Sequence, residues 1–220
     1  MIQQSTFDFL KKLKKNNNKE WFDKNRKTYE AARNELIQFL TVLIEKAGKW
    51  DERLKTLDPK KSIFRINRDI RFSANKDPYK TNMGAWLSPT GKNSNGPGYY
   101  LHLEPGGCFI AGGIYMPEAP VLKAIRQEID YNFKDFQKLL KQKDFKNYFG
   151  DLGGEKLKTT PKDYDKDNPA IEYLKLKSFT MIHHMDDSEL TEKDIAEKIN
   201  KIFKAMQPMN LFLASALETE

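Results

Sequence analysis

Apolar residues recur at helical spacing through the first quarter of the chain. Phe7, Leu10 and Leu13 share one face of a short helix opened by Ser5, with Asp8 three residues on as a weak capping box. Asn16, Asn17 and Asn18 break it. Asn17 with Glu20 then reads as the cap of a second, long helix. Its apolar stripe is Trp21, Tyr29, Ala32, Leu36, Phe39, Leu40 and Leu43, and Gly48 is its stop signal.

After Pro59 the period changes from that of a helix to that of a strand. Residues 63–72 alternate, and Met83–Leu87 is a second candidate strand closed by Ser88 and Pro89. Residues 90–98 are rich in Gly, Asn and Ser and read as a flexible loop. Residues 99–104 and 108–116 flank Pro105-Gly106-Gly107 and predict a β-hairpin. The second arm carries Gly112 and Gly113, a pattern that marks a bulge or a close backbone approach. Pro117 and Pro120 start a helix with Val121, Leu122, Ile125 and Ile129 inward. It restarts near Asn132 with Phe133, Phe136, Leu139 and Leu140. A turn at residues 150–154 and a polar loop at 160–169 lead to a strand over 178–185. A final helix over 191–217 is bent or split at Pro208. Helices, then strands, then helices with one late strand predict an α+β fold. Its mostly antiparallel sheet packs against a long N-terminal helix and C-terminal helices. Neither an internal repeat nor a long linker interrupts the chain, so a single domain over residues 1–220 is expected.

Composition narrows the class. The 220 residues are 39% hydrophobic and 12% aromatic, which supports a packed core rather than disorder. The apolar runs are too short to span a bilayer, so no membrane partner is expected. The first residues lack the pattern of a secretory signal, and a single Cys108 excludes an internal disulfide and any multi-cysteine zinc site. A cytoplasmic protein is the simplest expectation. The net charge of +7 is unevenly spread. Residues 1–80 hold 20 basic and 11 acidic side chains, whereas the remainder holds 18 and 20. A basic first third attracts anions: nucleic acid, anionic lipid or a phosphorylated small molecule. Lys11, Lys12, Lys14 and Lys15 read rather as a solvated helical surface that serves solubility.

The densest chemistry lies between Phe64 and Thr81. If residues 64–72 are extended, Phe64, Ile66, Ile70 and Phe72 share the apolar face, and Arg65, Asn67, Asp69 and Arg71 the polar one. Arg68 falls among the apolar residues. It must find a carboxylate, carbonyls or a bound anion there, unless a bend near Asn67 or Asp69 swings it beside Arg65 and Arg71. Guanidinium forks match phosphate and carboxylate oxygens. Arg65, Arg68 and Arg71 are therefore candidate anion ligands, with Lys76 and Lys80 adding charge and Asp69 orienting one fork. Lys76-Asp77-Pro78-Tyr79 reads as a turn that holds Tyr79 beside the arginines as a hydrogen-bond donor. The alternative is a lattice of ion pairs with Glu30, Glu35 or Glu104 that staples the fold.

The same residues carry a resemblance. Arg65-x-x-Arg68-Asp69-x-Arg71-Phe72, followed by Asn75-Lys76-x-x-Tyr79, resembles the signature of an uncharacterised bacterial family, domain of unknown function 2461. That family takes Asp or Asn at the position of Asn75. The likeness extends over nearly the whole chain. It includes Trp21-Phe22, the hairpin at 99–116, and residues 158–179 around Pro161, Tyr164 and Pro169. It implies a single stable fold and assigns no activity.

His102 is a candidate general acid or base, since alternation puts Tyr100, His102 and Glu104 on one strand face. Tyr79 is the other proton-transfer candidate. His183 and His184 are neighbours and point to opposite faces of a strand, so no metal site is expected. Cys108 lacks any neighbour that would activate it. Neither a P-loop nor a dinucleotide fingerprint is present, and no cofactor is expected. Asp163, Asp165 and Asp167 lack the glycine and final glutamate of a calcium loop. Three functions follow. The first is a protein that binds a phosphorylated or other anionic small molecule, either as a binding protein or as an enzyme of the phosphoester or carboxylate class. The second is a nucleic-acid binder using the basic first third, with Trp21, Tyr99 and Tyr100 as stacking candidates. The third is a scaffold whose arginines are structural. The oligomeric state is left open.

Overall fold

The computed structural model describes residues 1–91 and 95–218. Part of the expected loop at 90–98 therefore lies outside the described residues. The helical N-terminal region consists of α1 (Gln4–Lys15), α2 (Lys19–Lys24) and α3 (Arg26–Ala47). A 3-10 turn (Glu52–Leu54) and the short α4 (Pro59–Ser62) follow. The strands are β1 (Met83–Leu87), β2 (Gly98–Leu103), β3 (Phe109–Ile114) and, later, β4 (Phe179–His184). Between β3 and β4 lie α5 (Ala119–Tyr131), α6 (Phe133–Leu140), α7 (Lys143–Phe149) and α8 (Ile171–Leu174). After β4 come α9 (Asp187–Leu190) and α10 (Ile195–Ser215). The strands form one antiparallel sheet in the order β1-β2-β3-β4, so the fold is α+β.

The expected long N-terminal helix is present as α3, but it begins later. Asn18, not Asn17, caps α2, its side chain accepting the Trp21 N–H at 2.9 Å. Asn25 then interrupts the stripe, and its own side chain bonds back to the Trp21 carbonyl at 2.8 Å. That local bond competes with a continuous helix. Gly48 ends α3 as expected. Pro208 sits inside α10 without splitting it.

The chain forms two compact units. Unit 1 comprises residues 1–87, 100–110 and 184–201, and unit 2 comprises 88–99, 111–183 and 202–220. In unit 1 the inward faces of α1 and α3 bury Phe7, Leu10, Leu13, Leu36, Leu40 and Leu43. Glu35 of α3 takes the place of an N-terminal cap for α1, accepting from the Gln3 N–H and the buried Thr6 hydroxyl. The outer edge of β1 is blunted by Ile63, bridged to Ala85, and by the Phe64 N–H donating to the Gly84 carbonyl at 2.9 Å.

Unit 2 buries Ile125, Ile129, Phe136, Phe145, Phe179 and Phe203. The edge of β4 is closed in the same manner, by Gly153 bridged to Thr180. Gly113 of β3 has φ +102°, and a Cβ there would stand 2.0 Å from the Phe179 carbonyl oxygen. Its glycine therefore serves the close backbone approach suggested by its place in a strand.

Candidate functional site

Residues 63–72 do not form the expected strand, and the chain from 64 to 81 takes another course. It leaves the sheet edge as an excursion of unit 1 whose two arms pair only near its base. The Lys80 N–H donates to the Ile66 carbonyl at 2.8 Å, the Arg68 N–H to the Pro78 carbonyl at 2.9 Å, and Asn67 bridges Tyr79. Beyond Arg68 the ladder ends. Pro78 has no N–H to give, and side chains capture the backbone locally. The Asp69 carboxylate accepts the Arg71 N–H at 3.3 Å, and Asn75 Oδ1 accepts the Asp77 N–H at 2.8 Å. The apolar alternation therefore finds no surface to cover. Ile66 is buried, but Phe72 is 96% exposed.

The excursion is anchored by an aromatic ring. The Tyr79 side chain is only 6% exposed. Its ring stacks on Phe22 of α2, centroids 3.9 Å apart and planes at 14°. Both Tyr79 backbone groups are clasped by the Asn17 side chain, the N–H donating to Oδ1 at 3.1 Å and the carbonyl accepting from Nδ2 at 2.9 Å. Burial raises the Tyr79 phenol pKa, Asp23 adds to the rise, and Arg26 opposes it. Tyr79 thus stands as a protonated donor on the α2 side.

The cations take different partners. Arg71 forks onto Asp69, Nε to Oδ1 at 3.0 Å and Nη2 to Oδ2 at 2.7 Å, while remaining 75% exposed. This holds Asp69 below the usual carboxylate range. Arg68 reaches the Asp77 carbonyl and the Ser73 hydroxyl, each at 3.3 Å, and pairs with no carboxylate among the described residues. Lys76 donates to the Ile70 carbonyl at 3.0 Å. The Lys80 ammonium lies 5.5 Å from the Phe64 ring centroid. Arg65 makes no hydrogen bond or ion pair with a described residue, and its charge helps to lower the Asp69 pKa. Two of the three staple partners considered above are engaged elsewhere: Glu35 at α1, and Glu104 beside His102.

On β2 the expected face is assembled. The Tyr100 hydroxyl lies 2.9 Å from His102 Nδ1, and His102 Nε2 lies 3.4 Å from Glu104 Oε2. Thr81 donates to Glu104 Oε1 at 3.2 Å. Phe109 stacks on the imidazole, centroids 4.5 Å apart. Burial pushes the Tyr100 phenol up to about 12, with Glu104 adding to the rise. Burial lowers the His102 pKa, outweighing the hydrogen bond and charge of Glu104. A protonated phenol therefore donates to Nδ1, and the neutral imidazole carries its proton on Nε2, toward Glu104. This row of groups can take a proton at the phenol oxygen while passing the phenol's own proton to Nδ1.

The excursion meets this row at both ends. Phe64 packs edge-on against Tyr100 at 6.1 Å between centroids, and Thr81 holds Glu104. Gly84 makes room, since a Cβ there would stand 2.4 Å from the Tyr100 hydroxyl oxygen. Sequence reasoning missed Thr81, Gly84 and Phe109. The polar Thr81 just after Lys80 was the one local signal; the other two are set by pairing across the sheet.

The remaining candidates are not members of this row. Cys108 is buried, donates to the Glu104 carbonyl at 3.1 Å and faces Asp187 Oδ1 at 3.5 Å. Burial pushes its thiol up to about 12, so it is protonated and unreactive at neutral pH. Asp187 also accepts the Gly106 N–H at 2.9 Å and so fixes the hairpin turn. His184 lies 6.1 Å from Phe109 in unit 1, whereas His183 meets the Tyr148 carbonyl at 3.1 Å in unit 2. Among the described residues no group of three His, Cys, Asp or Glu could hold a metal ion. Unit 1 has a groove of about 670 Å³ lined by Thr6, Thr28, Glu35, Phe39 and Val42, and a cavity of about 230 Å³ at Gly107, Cys108 and His184. Neither includes His102 or an arginine of the excursion.

An α+β fold with a basic excursion against a Tyr-His-Glu row defines the class only by its shape. The family is more specific: the model of a conserved hypothetical protein family (DUF2461) matches residues 5–212, and the chain belongs to that family. Neither the search of curated proteins nor that of solved structures finds a match. No helix of the described residues is long and apolar enough to cross a membrane.

Proposed function

We propose that this protein binds a small phosphorylated or carboxylated molecule on the excursion at residues 65–80 and exchanges a proton with it at Tyr100-His102-Glu104. Arg65 supplies the open fork. Arg68, whose hydroxyl and carbonyl partners carry no formal charge, supplies a second. Arg71 is oriented by Asp69, Lys76 and Lys80 raise the local potential, and Tyr79 anchors the segment. A cytoplasmic setting, in which a lone thiol stays reduced, belongs to the same proposal. The observation that carries it is the contact of both ends of the excursion with the row, Phe64 on Tyr100 and Thr81 on Glu104. Thermal denaturation with phosphate, sulfate or chloride at equal ionic strength tests it. Phosphate should raise the midpoint of the wild type, and Arg65→Ala with Arg68→Ala should diminish the rise in a folded protein. An undiminished rise in that variant would reject the site.

A second reading rests on Phe72. This ring projects into solvent with the Arg71 guanidinium 5.9 Å from its centroid. An exposed ring amid cations suits a base of single-stranded nucleic acid stacked between phosphates. Of the stacking residues expected from the sequence, Tyr99 is buried and Tyr100 belongs to the row. Retardation of short single strands, lost in Phe72→Ala and at high salt, would favour this reading over the first.

A further inference from the structure

Unit 2 contains a cation with no counter-charge among the described residues. Arg126 lies on α5, half-buried. Its Nη2 donates to the Leu176 carbonyl at 3.2 Å, just past the end of α8. Its Nε is buried and has no hydrogen-bond partner. No described carboxylate pairs with it, and the Tyr164 phenol is the ionisable group that senses its charge. Arg126 therefore differs from an ordinary surface arginine, which water or an acid satisfies. A desolvated, unpaired guanidinium destabilises a fold, and chains keep such groups where something else completes them.

The surroundings are built rather than accidental. Asp130, one turn along α5 on the same face, accepts from Asn168 Nδ2 at 2.6 Å, and Asn168 Oδ1 accepts the Ala170 N–H at 2.7 Å. This pins the polar segment 161–170 to α5. Asp130 is thereby committed to the segment and not to Arg126. Within the segment, Asp163 adopts φ +78°, a conformation that costs energy outside glycine, and Tyr164 follows it. The Tyr164 hydroxyl has no hydrogen-bond partner among the described residues. Burial and the nearby Asp130 raise the phenol's pKa against the opposing pull of Arg126, so it remains a donor.

We infer that Arg126 and Tyr164 form a second site, independent of the one in unit 1, that takes a compact oxyanion: a carboxylate or a phosphate. The anion sits against the Nε edge of the guanidinium, gives Nε its missing acceptor, neutralises the buried charge and receives the Tyr164 hydroxyl. A buried water could also satisfy Nε, but it would leave the charge uncompensated. The two cases respond differently to added anions.

The test uses the full chain, with inorganic phosphate and acetate as probes and chloride at equal ionic strength as control. In nitrogen-selective spectra of arginine Nε–H groups, the resonance missing from Arg126→Met, or from Arg126→Lys should the first variant fail to fold, identifies Arg126. Phosphate or acetate should move this resonance saturably and chloride should not. Movement by one oxyanion alone fixes which class the site prefers. Tyr164→Phe should weaken the midpoint about tenfold, the worth of one hydrogen bond to a charged acceptor. Arg65→Ala should leave the midpoint unchanged, which separates this site from that of unit 1. A resonance that neither oxyanion moves, or that chloride moves equally, overturns the inference.

Discussion

Arg71 and Arg126 are the same side chain in opposite circumstances. Arg71 is exposed on the excursion of unit 1 and brings its own acid, forked onto Asp69 two residues away. Arg126 is half-buried in unit 2, with a carbonyl on one nitrogen and nothing on another. Water and salt screen the first pair, so its loss costs the fold little. The second is kept in spite of its desolvation. The contrast shows that clustering of arginines in a sequence is a weaker sign of an open anion site than the absence of partners around one of them. By that criterion Arg65 and Arg126, rather than Arg71, are the open forks.

The largest effect that bears on this contrast is at Tyr79. If its ring rather than the arginines holds the excursion, Tyr79→Ala should lose about 3 kcal/mol in urea denaturation, the usual cost of deleting a stacked, buried aromatic ring. A loss near zero would mean that the cations carry the anchoring. Next is Gly84→Val. A side chain there must displace the Tyr100 hydroxyl, and about 2 kcal/mol of overpacking is expected, together with loss of the Tyr100-His102 hydrogen bond in imidazole nitrogen spectra. Arg126→Met should be neutral or stabilising by about 1 kcal/mol in buffer free of oxyanions, because an uncompensated charge leaves the interior. Clear destabilisation there would make Arg126 a structural residue. The smallest effect is at Arg71→Ala, whose denaturation midpoint should match the wild type.

Protonation of His102 gives a further handle. Burial holds its pKa below the ordinary 6.5, so the unfolded chain binds the proton more readily. The stability this group contributes is complete above 6.5 and falls as the pH drops below that value toward the folded pKa. Denaturation between pH 7 and pH 5 should show this loss, and His102→Gln should remove this part of the slope. A profile of unchanged slope in the variant would place the titration elsewhere.

The Tyr100-His102-Glu104 face was legible because β2 is a paired strand, and pairing enforces the period of two. The same alternation over residues 63–72 misled. The pattern is compatible with a strand, but a strand needs a partner, and here Asp69, Asn75 and Pro78 end the ladder. The α3 stripe was read through Asn25 because apolar spacing continues across it, whereas the break lies in one asparagine side chain. The helix α7, with Phe145 buried, falls where the sequence offered only polar residues between aromatics. Arg126 gave no signal, since an arginine beside Ile125 on an amphipathic helix reads as solvated; only tertiary packing removes its water.

The proposal for unit 1 requires that an anion at the excursion be felt at His102. Phosphate titrated into protein labelled at histidine nitrogen, with Arg65→Ala alongside, measures this directly. The account predicts that phosphate shifts both His102 ring nitrogens in the wild type and that Arg65→Ala suppresses the shift. Ring nitrogens indifferent to phosphate in the wild type would contradict it.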